Sequence, residues 1–288
     1  MKSYLIENLL CSHCRGALVY DDSSRQVICP RRHQAAPVQN GAPVFTPPPI
    51  NMAPSEKVAR GPNLGTPWRR ANWRFLGEQV AALPADALVL DVGAGRGDFA
   101  DLLEGHNTLA LDVYPYPEVD IVCDLTQVDP FRHESFDAIL LTNVLEHIYN
   151  TRAMLATLSS LLKPGGVLLV SIPFMVKIHQ APIDYVRYTH YALEGLGQEH
   201  GLQVEKMEGF YDPISLLGEG IGNLEHAVLP NVRGSRHYAG RALLLAIQAL
   251  AAGLQGVLGP GRVQFPEHAR SQAPTGYHIV YRKPVPKG

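Results

Sequence analysis

From Leu88 to Gly209 the chain alternates between two hydrophobic rhythms. Short, nearly unbroken apolar runs recur at Ala87–Val92, Thr108–Asp112, Ile121–Cys123, Ala138–Leu141 and Val167–Ile172. Runs of that length predict strands buried on both faces, as in a parallel sheet. Between and around them lie helical stretches, at Phe99–Leu103, Thr151–Leu162 and Tyr191–His200. An earlier helix, Trp68–Leu83, sets Trp73, Leu76, Val80 and Leu83 on one face and ends at Pro84. Val204–Gly209 and Tyr277–Arg282 read as the last strands. The alternation predicts an α/β fold, a Rossmann-like doubly wound sheet with helices on both faces.

The flanks break this rhythm. Residues 1–45 hold short β-like runs, turn residues and a cysteine cluster, and read as a separate small unit. Residues 46–67 are rich in proline and glycine, which block helices and sheet ladders, so they read as a partly extended linker. The main domain is expected over 68–288, with a helical insertion or lid at about 211–275. Inside that insertion, Ala242–Gly261 carries no charge. Its two glutamines and its glycines weaken a membrane span, so no transmembrane span is expected; a buried or partner-covered helix is the first reading and a membrane-surface contact the second.

The chain has 288 residues, 46% of them hydrophobic, enough for one sizeable core. A formal net charge of −2 disfavours a strongly electrostatic nucleic-acid binder. The basic pairs Arg31–Arg32 and Arg69–Arg70 read first as solvated surface. The first residues lack a basic start followed by a long apolar run, so a reducing, cytoplasmic setting is expected.

In that setting clustered cysteines read as metal ligands before disulfides. Cys11-x-x-Cys14 is followed by Cys29 and, four residues on, His33. Two close pairs of soft or borderline ligands suit tetrahedral Zn²⁺, and four protein ligands leave no open position. A structural zinc ribbon is therefore expected, with His13 as the alternative nitrogen ligand. Cys123, at a strand end, reads as a packing residue.

The candidate chemistry of the main domain starts at Asp91-Val92-Gly93-Ala94-Gly95-Arg96-Gly97. A glycine-rich loop is a weak signal alone, but this one follows a buried strand and precedes a helical segment. Without a Lys-Ser/Thr pair it is not a phosphate-binding P-loop. Asp91 suits a ligand with a cationic end. Asp112 ends the next strand, about 20 residues on, where ribose hydroxyls are held in such sheets. Asp124 ends the strand after that, within reach of an adenine amino group. Each alone has an ordinary loop aspartate as its alternative; three at successive strand ends read as a ligand site.

With these motifs the chain from Trp68 to Phe210 resembles the class I S-adenosylmethionine-dependent methyltransferases. The match runs through Leu88–Gly97, Asp112, Asp124–Leu125, Ser135–Ile139, Asn143–His147 and Leu162–Gly166, in family order. The resemblance implies a seven-stranded sheet with its last strand, Tyr277–Arg282, antiparallel. It implies S-adenosylmethionine held by Asp91, Gly93, Ala94, Gly95, Gly97, Asp112, Val113, Asp124, Leu125 and Asn143. A type 11-like subgroup, often found beside saccharide or natural-product pathways, is resembled by the run His179…Pro182, Asp184-Tyr185, Arg187-Tyr188-Thr189. The ribbon, with Cys11, Cys14, Cys29, Pro30, Arg32 and His33, resembles that of ribosomal RNA guanine-N1 methyltransferases. Gln34–Phe45 is closer to a small zinc protein that partners methyltransferases.

Methyl transfer requires the acceptor to be positioned and, for a hydroxyl or amine, deprotonated. His179 and His147 are the candidate bases, each with a structural alternative. Asp184, Tyr185, Arg187 and Tyr188 are candidate contacts for an anionic or sugar substrate, or equally a salt-bridged anchor. A small-molecule acceptor is the first expectation and an RNA base, with the ribbon as clamp, the second. The oligomeric state stays open, a homodimer included.

Overall fold

The computed structural model describes residues 2–49, 64–210, 229–258 and 273–286, with scattered positions between 212 and 221. The N-terminal unit has a short helix α1 (Ser3–Glu7) and a four-stranded antiparallel sheet of β1 (Val19–Asp21), β2 (Gln26–Ile28), β3 (Ala35–Gln39) and β4 (Ala42–Pro43). The main sheet contains β5 (Leu88–Val92), β6 (Asn107–Asp112), β7 (Ile121–Val122), β8 (Phe136–Thr142), β9 (Leu162–Pro173), β10 (Gln203–Phe210) and β11 (Gly276–Arg282). Its order is β10-β11-β9-β8-β5-β6-β7. Six strands run in one direction, and β11 runs antiparallel to them between β9 and β10. This is the seven-stranded Rossmann-like sheet expected from the pattern, with its antiparallel last strand.

Strand alternation sends the side chains of β5 to both faces. Val89 packs with Phe75, Leu76 and Val80 of helix α2 (Pro67–Val80) on one side. Leu90 and Val92 join Met154, Leu155 and Leu158 of helix α3 (Thr151–Leu161), and Leu193 of helix α4 (His190–Glu199), on the other. The helix starts are set by local chemistry. Thr66 Oγ1 accepts from Arg69 N, Asn150 Oδ1 from Ala153 N and Thr189 Oγ1 from Ala192 N, each satisfying an orphan amide.

Several elements differ from their sequence reading. The helix expected over Phe99–Leu103 is a 3₁₀ turn, Ala100–Leu103. The three glycines ahead of it all adopt positive φ, so the chain turns several times before a helix can start. The strand expected over Val167–Ile172 begins earlier, at Leu162, because Leu162 already pairs with Phe136 and Gly165 N donates to Lys283 O.

The N-terminal unit is not set apart by its linker. Its Leu5, Leu9, Leu18 and Val27 belong to the same apolar core as Phe131 and Phe136 of the main domain. Leu10 N donates to Pro130 O and Arg132 N to Asn8 O. Val44 bridges in parallel to Val122 on the sheet edge, and Phe45 N donates to Val122 O. The start of the expected linker continues this docking: Thr46 Oγ1 accepts from Asp124 N and Pro49 O from Tyr114 Oη. Residues 50–63 of that linker lie outside the described residues.

Within the expected insertion, helix α5 (Ser235–Leu258) spans 24 residues, long and apolar enough by length and composition to cross a membrane. Of the two expectations for residues 242–261, burial within the chain is not seen among the described residues, since Leu243, Leu245, Leu250 and Val257 are exposed and Ala251 is buried; residues 259–261 lie outside the described residues. In sequence the helix lies between β10 and β11 of the same sheet.

Candidate functional site

The carboxyl end of β5 runs directly into the glycine loop. Gly93 N and Ala94 N both donate to Leu111 O, folding the loop over the end of β6. Gly93 sits at φ +75°, and a Cβ there would lie 2.3 Å from Val144 Cγ2, so no other residue fits without displacing that wall. Gly95 N donates to Asp112 Oδ2 and Tyr114 N to Asp112 Oδ1, both at 2.9 Å. Two backbone donors thus aim the Asp112 carboxylate, while each oxygen keeps a lone pair for a further donor.

These strand ends border a cavity of about 710 Å³, a size suited to a cofactor and a small ligand. Asp91, Gly93, Ala94, Gly95, Asp112, Val113, Asp124, Leu125 and Asn143 line it. Gly97 does not; at φ +77° it makes the turn that carries the chain away. Sequence reasoning missed Arg69 and Trp73 of α2, Asp98, Tyr116, and Gln180 and Ile183 of the loop after β9, all of which line the cavity. Only the spacing of α2 could have pointed to Trp73; the loop residues carry no periodic signal.

The cavity floor is acidic. Asp91 is fully enclosed, and burial, with Asp112 and Asp98 nearby, pushes its carboxyl up to about 7. Burial also raises Asp112, against the backbone amides of Tyr114 and Gly95. Asp98 is raised by burial, opposed by Arg69. Such a floor favours a cationic ligand, which would relieve the mutual repulsion. Asp124 is differently placed. Its Oδ1 accepts from Thr126 N and Thr126 Oγ1, and its Oδ2 from Gln127 Nε2, so its carboxylate also holds the turn after β7.

The loop after β9 departs from the substrate-binding expectation. The Asp184 side chain is covered, receives Arg187 Nη2 at 2.8 Å and His179 N at 2.8 Å, and is held well below the usual carboxylate range, chiefly by Arg187. Arg187 also donates to Val176 O and Val186 O. The Tyr188 hydroxyl meets Thr151 Oγ1 at 2.8 Å on α3. Asp184, Arg187 and Tyr188 are therefore spent on shaping the loop and do not line the cavity. Tyr185 does line it, and meets the exposed Tyr149 ring edge to face at the rim.

The two candidate bases come together. His147 lines the cavity, and its Nδ1 lies 2.7 Å from Ile183 O. His179 does not line the cavity; its Nδ1 lies 3.2 Å from Asp184 Oδ2 and its ring 5.0 Å from that of His147. Between them is Glu146, fully buried, with Oε1 3.7 Å from the Nε2 of both histidines. Sequence reasoning passed over Glu146, whose burial no local pattern reveals.

In the N-terminal unit, Cys11, Cys14, Cys29 and His33 offer one ligand atom each, all within 4.8 Å of one another. Cys14 Sγ and Cys29 Sγ are 3.7 Å apart, and Cys29 Sγ lies 4.0 Å from His33 Nδ1. Thiolates about 2.3 Å from a tetrahedral zinc would stand roughly 3.8 Å apart, so the donor set fits that ion. His13 stacks obliquely on the His33 ring, 5.4 Å between centroids.

Comparison with known proteins places these features in context. Residues 68–206 match a family model described as a methyltransferase domain. The chain is 33% identical over 144 residues to the demethylmenaquinone methyltransferase of Tropheryma whipplei strain Twist, covering 46% of this chain and 58% of that protein. It thus spans little more than half the length of that relative. A 41-residue stretch is 42% identical to a UPF0434 protein of Shewanella sediminis strain HAW-EB3, covering 14% of this chain and 68% of that one. Among solved structures, phosphoethanolamine N-methyltransferase 2 of Haemonchus contortus, in complex with S-adenosyl-L-methionine, superposes with TM-score 0.46 at 15% identity, over 75% of this chain and 53% of that one.

Proposed function

We propose that this chain, which belongs to the class I S-adenosylmethionine-dependent methyltransferases and, over a 41-residue stretch, to the UPF0434 family, transfers a methyl group to a small molecule. The observation that carries this reading is the cavity itself. An enclosed Asp91 and a doubly aimed Asp112 flank a glycine loop at the carboxyl ends of β5 and β6. The cationic sulfonium and ammonium of S-adenosylmethionine suit the acidic floor, and its ribose hydroxyls suit the remaining lone pairs of Asp112.

The cofactor supplies an activated methyl and a neutral leaving group; the protein positions the acceptor. Gly93 to Gly95 bring backbone close to the ligand without side-chain obstruction. Trp68 Nε1 donates to Asn143 Oδ1 at 3.0 Å, fixing the side chain of a cavity residue at the end of β8. The wall made by His147, Ile183 and Tyr185 faces the remaining space and would hold the acceptor. The name of the Tropheryma relative, a demethylmenaquinone methyltransferase, supports a small-molecule acceptor.

The Cys11, Cys14, Cys29 and His33 set is read as a structural zinc site. Its knuckles are preformed by Arg15 N donating to Cys11 O and Arg32 N to Cys29 O. Bound zinc would hold the small sheet, and through it the surface docked on Pro130, Phe131 and Val122.

Incubation with S-adenosylmethionine labelled in the methyl group, against a metabolite extract and against total RNA in parallel, tests the reading. Label should enter the metabolite fraction. Label entering RNA alone would overturn the small-molecule half, and no transfer to either would count against the enzyme.

A further inference from the structure

We infer that Glu146, His147 and His179 form a binding site for a divalent transition-metal ion in the wall of the cavity. The three side chains offer one ligand atom each, all within 4.8 Å of one another. Glu146 and His147 are neighbours on the 3₁₀ turn Leu145–His147, and His179 arrives from the loop after β9. That loop is pinned to the turn by Tyr185 N donating to Glu146 O at 2.9 Å.

Glu146 is fully buried, yet neither carboxylate oxygen has a hydrogen-bond partner, and neither has His147 Nε2. A buried carboxylate with no hydrogen bond, and only two imidazole nitrogens at 3.7 Å beside it, is expensive enough that it requires an explanation. His147 Nδ1 faces the Ile183 carbonyl at 2.7 Å, and His179 Nδ1 faces the Asp184 carboxylate at 3.2 Å. The Ile183 carbonyl fixes the His147 proton on Nδ1, and Asp184 with Lys177 O at 3.4 Å draws the His179 proton to Nδ1 against the longer contact from Arg187 Nη2 at 3.5 Å; in those neutral tautomers both Nε2 atoms present lone pairs toward Glu146. Three acceptors then converge with no donor among them.

A cation resolves this. Carbonyl and carboxylate partners on the far nitrogen are the usual means of orienting a metal-bound histidine. Protonating the rings resolves it less well. Both Nε2 atoms stand 3.7 Å from Oε1, beyond hydrogen-bond range. Ligands of one ion, each about 2.1 Å from it, stand roughly 3.0–3.5 Å apart, within a small side-chain adjustment of what is seen. The neighbouring cation, Arg187, is already committed to Asp184 and to main-chain carbonyls.

Two imidazoles and one carboxylate suit zinc or a similar borderline ion, whereas magnesium and calcium prefer all-oxygen sets. Three protein ligands leave coordination positions open. Because His147 lines the cavity, those positions face the acceptor space, where a metal could orient an acceptor oxygen and make its proton more acidic. That use of the site rests on the methyl-transfer reading; the site itself does not.

Metal content and binding of the full chain test the inference. Protein loaded with zinc and freed of excess should hold one metal at the cysteine cluster and bind a second in calorimetric titration with Zn²⁺ or Co²⁺. Added Co²⁺ should give the weak visible bands of nitrogen and oxygen ligation, without thiolate charge transfer. Glu146→Gln should lose the second equivalent and keep the first. His179→Gln, on a more exposed ring, should weaken the second at least tenfold and serves if the glutamine variant does not fold. Binding of S-adenosylmethionine is measured on the same samples, so a failed metal site with intact cofactor binding separates the two readings. A wild-type chain that binds no second metal, or variants that bind it as the wild type does, would overturn the site.

Discussion

Replacing Asp91 by asparagine should remove a pH dependence from cofactor binding. In the free protein Asp91 is enclosed, and burial, with Asp112 and Asp98 beside it, raises its carboxyl to about 7. A cationic ligand binds the ionised form and must displace the proton from the neutral one. The raised value means that ionisation is nearly complete at pH 8 and about a tenth complete at pH 6. The apparent dissociation constant scales with one plus the ratio of protonated to ionised carboxyl. It should therefore rise about tenfold from pH 8 to pH 6, or roughly 1.4 kcal/mol. The sign is fixed: affinity falls as pH falls. The same raised carboxyl costs the free protein stability as pH rises from about 4 to about 7, where the unfolded chain releases this proton and the folded one keeps it. Calorimetric titration with S-adenosylmethionine at pH 6, 7 and 8 reads the affinity. Asp91→Asn carries the ligand's own titration and gives the baseline. Identical pH profiles for wild type and variant would refute the assignment of Asp91 to the cationic end of the ligand.

Other perturbations test other parts. Gly93→Ala places a Cβ 2.3 Å from Val144 Cγ2 at φ +75°; it should cost about 1–3 kcal/mol in urea unfolding and weaken cofactor binding at least tenfold. His278, sandwiched between Trp68 and Phe75 with its Nε2 2.7 Å from Asn72 Oδ1, is pushed by burial down to about 3. Its contribution is fully present above about pH 6.5 and lost as pH falls toward 3. Wild type should lose roughly 2 kcal/mol more than His278→Gln between pH 7 and pH 5 in denaturant titrations; equal losses would exclude a buried neutral imidazole. Cys29→Ser should abolish zinc retention at the cysteine cluster and lower the melting temperature, since the small sheet shares its core with Phe131 and Phe136; a variant that melts like the wild type would show that the metal does not hold the unit.

Much of this was legible because the signals are local. Leu88–Val92 reads as a strand from its own residues, and the glycines after it announce a turn whatever the rest of the chain does. Asp112 could be placed because it ends an apolar run. The cysteine cluster could be placed because its ligands come in two close pairs. What was illegible depends on distant partners. Phe99–Leu103 has helical spacing, but three positive-φ glycines set its geometry. Asp184 and Arg187 carry charges that suit a substrate, and only the folded loop shows them satisfying each other. His278 looks like any strand residue until Trp68 and Phe75 close on it. The docking of the N-terminal unit joins segments more than a hundred residues apart, such as Arg15 and Phe131 at a separation of 116. No periodicity encodes that.

The central claim is that the cavity at the ends of β5 and β6 is the cofactor site, and the structure of the chain bound to S-adenosylhomocysteine tests it most directly. Ribose hydroxyls should lie on the Asp112 carboxylate, and the amino-acid end of the ligand against Gly93–Gly95, near Asp91. Ligand bound elsewhere, or an empty cavity at saturating ligand, would contradict it.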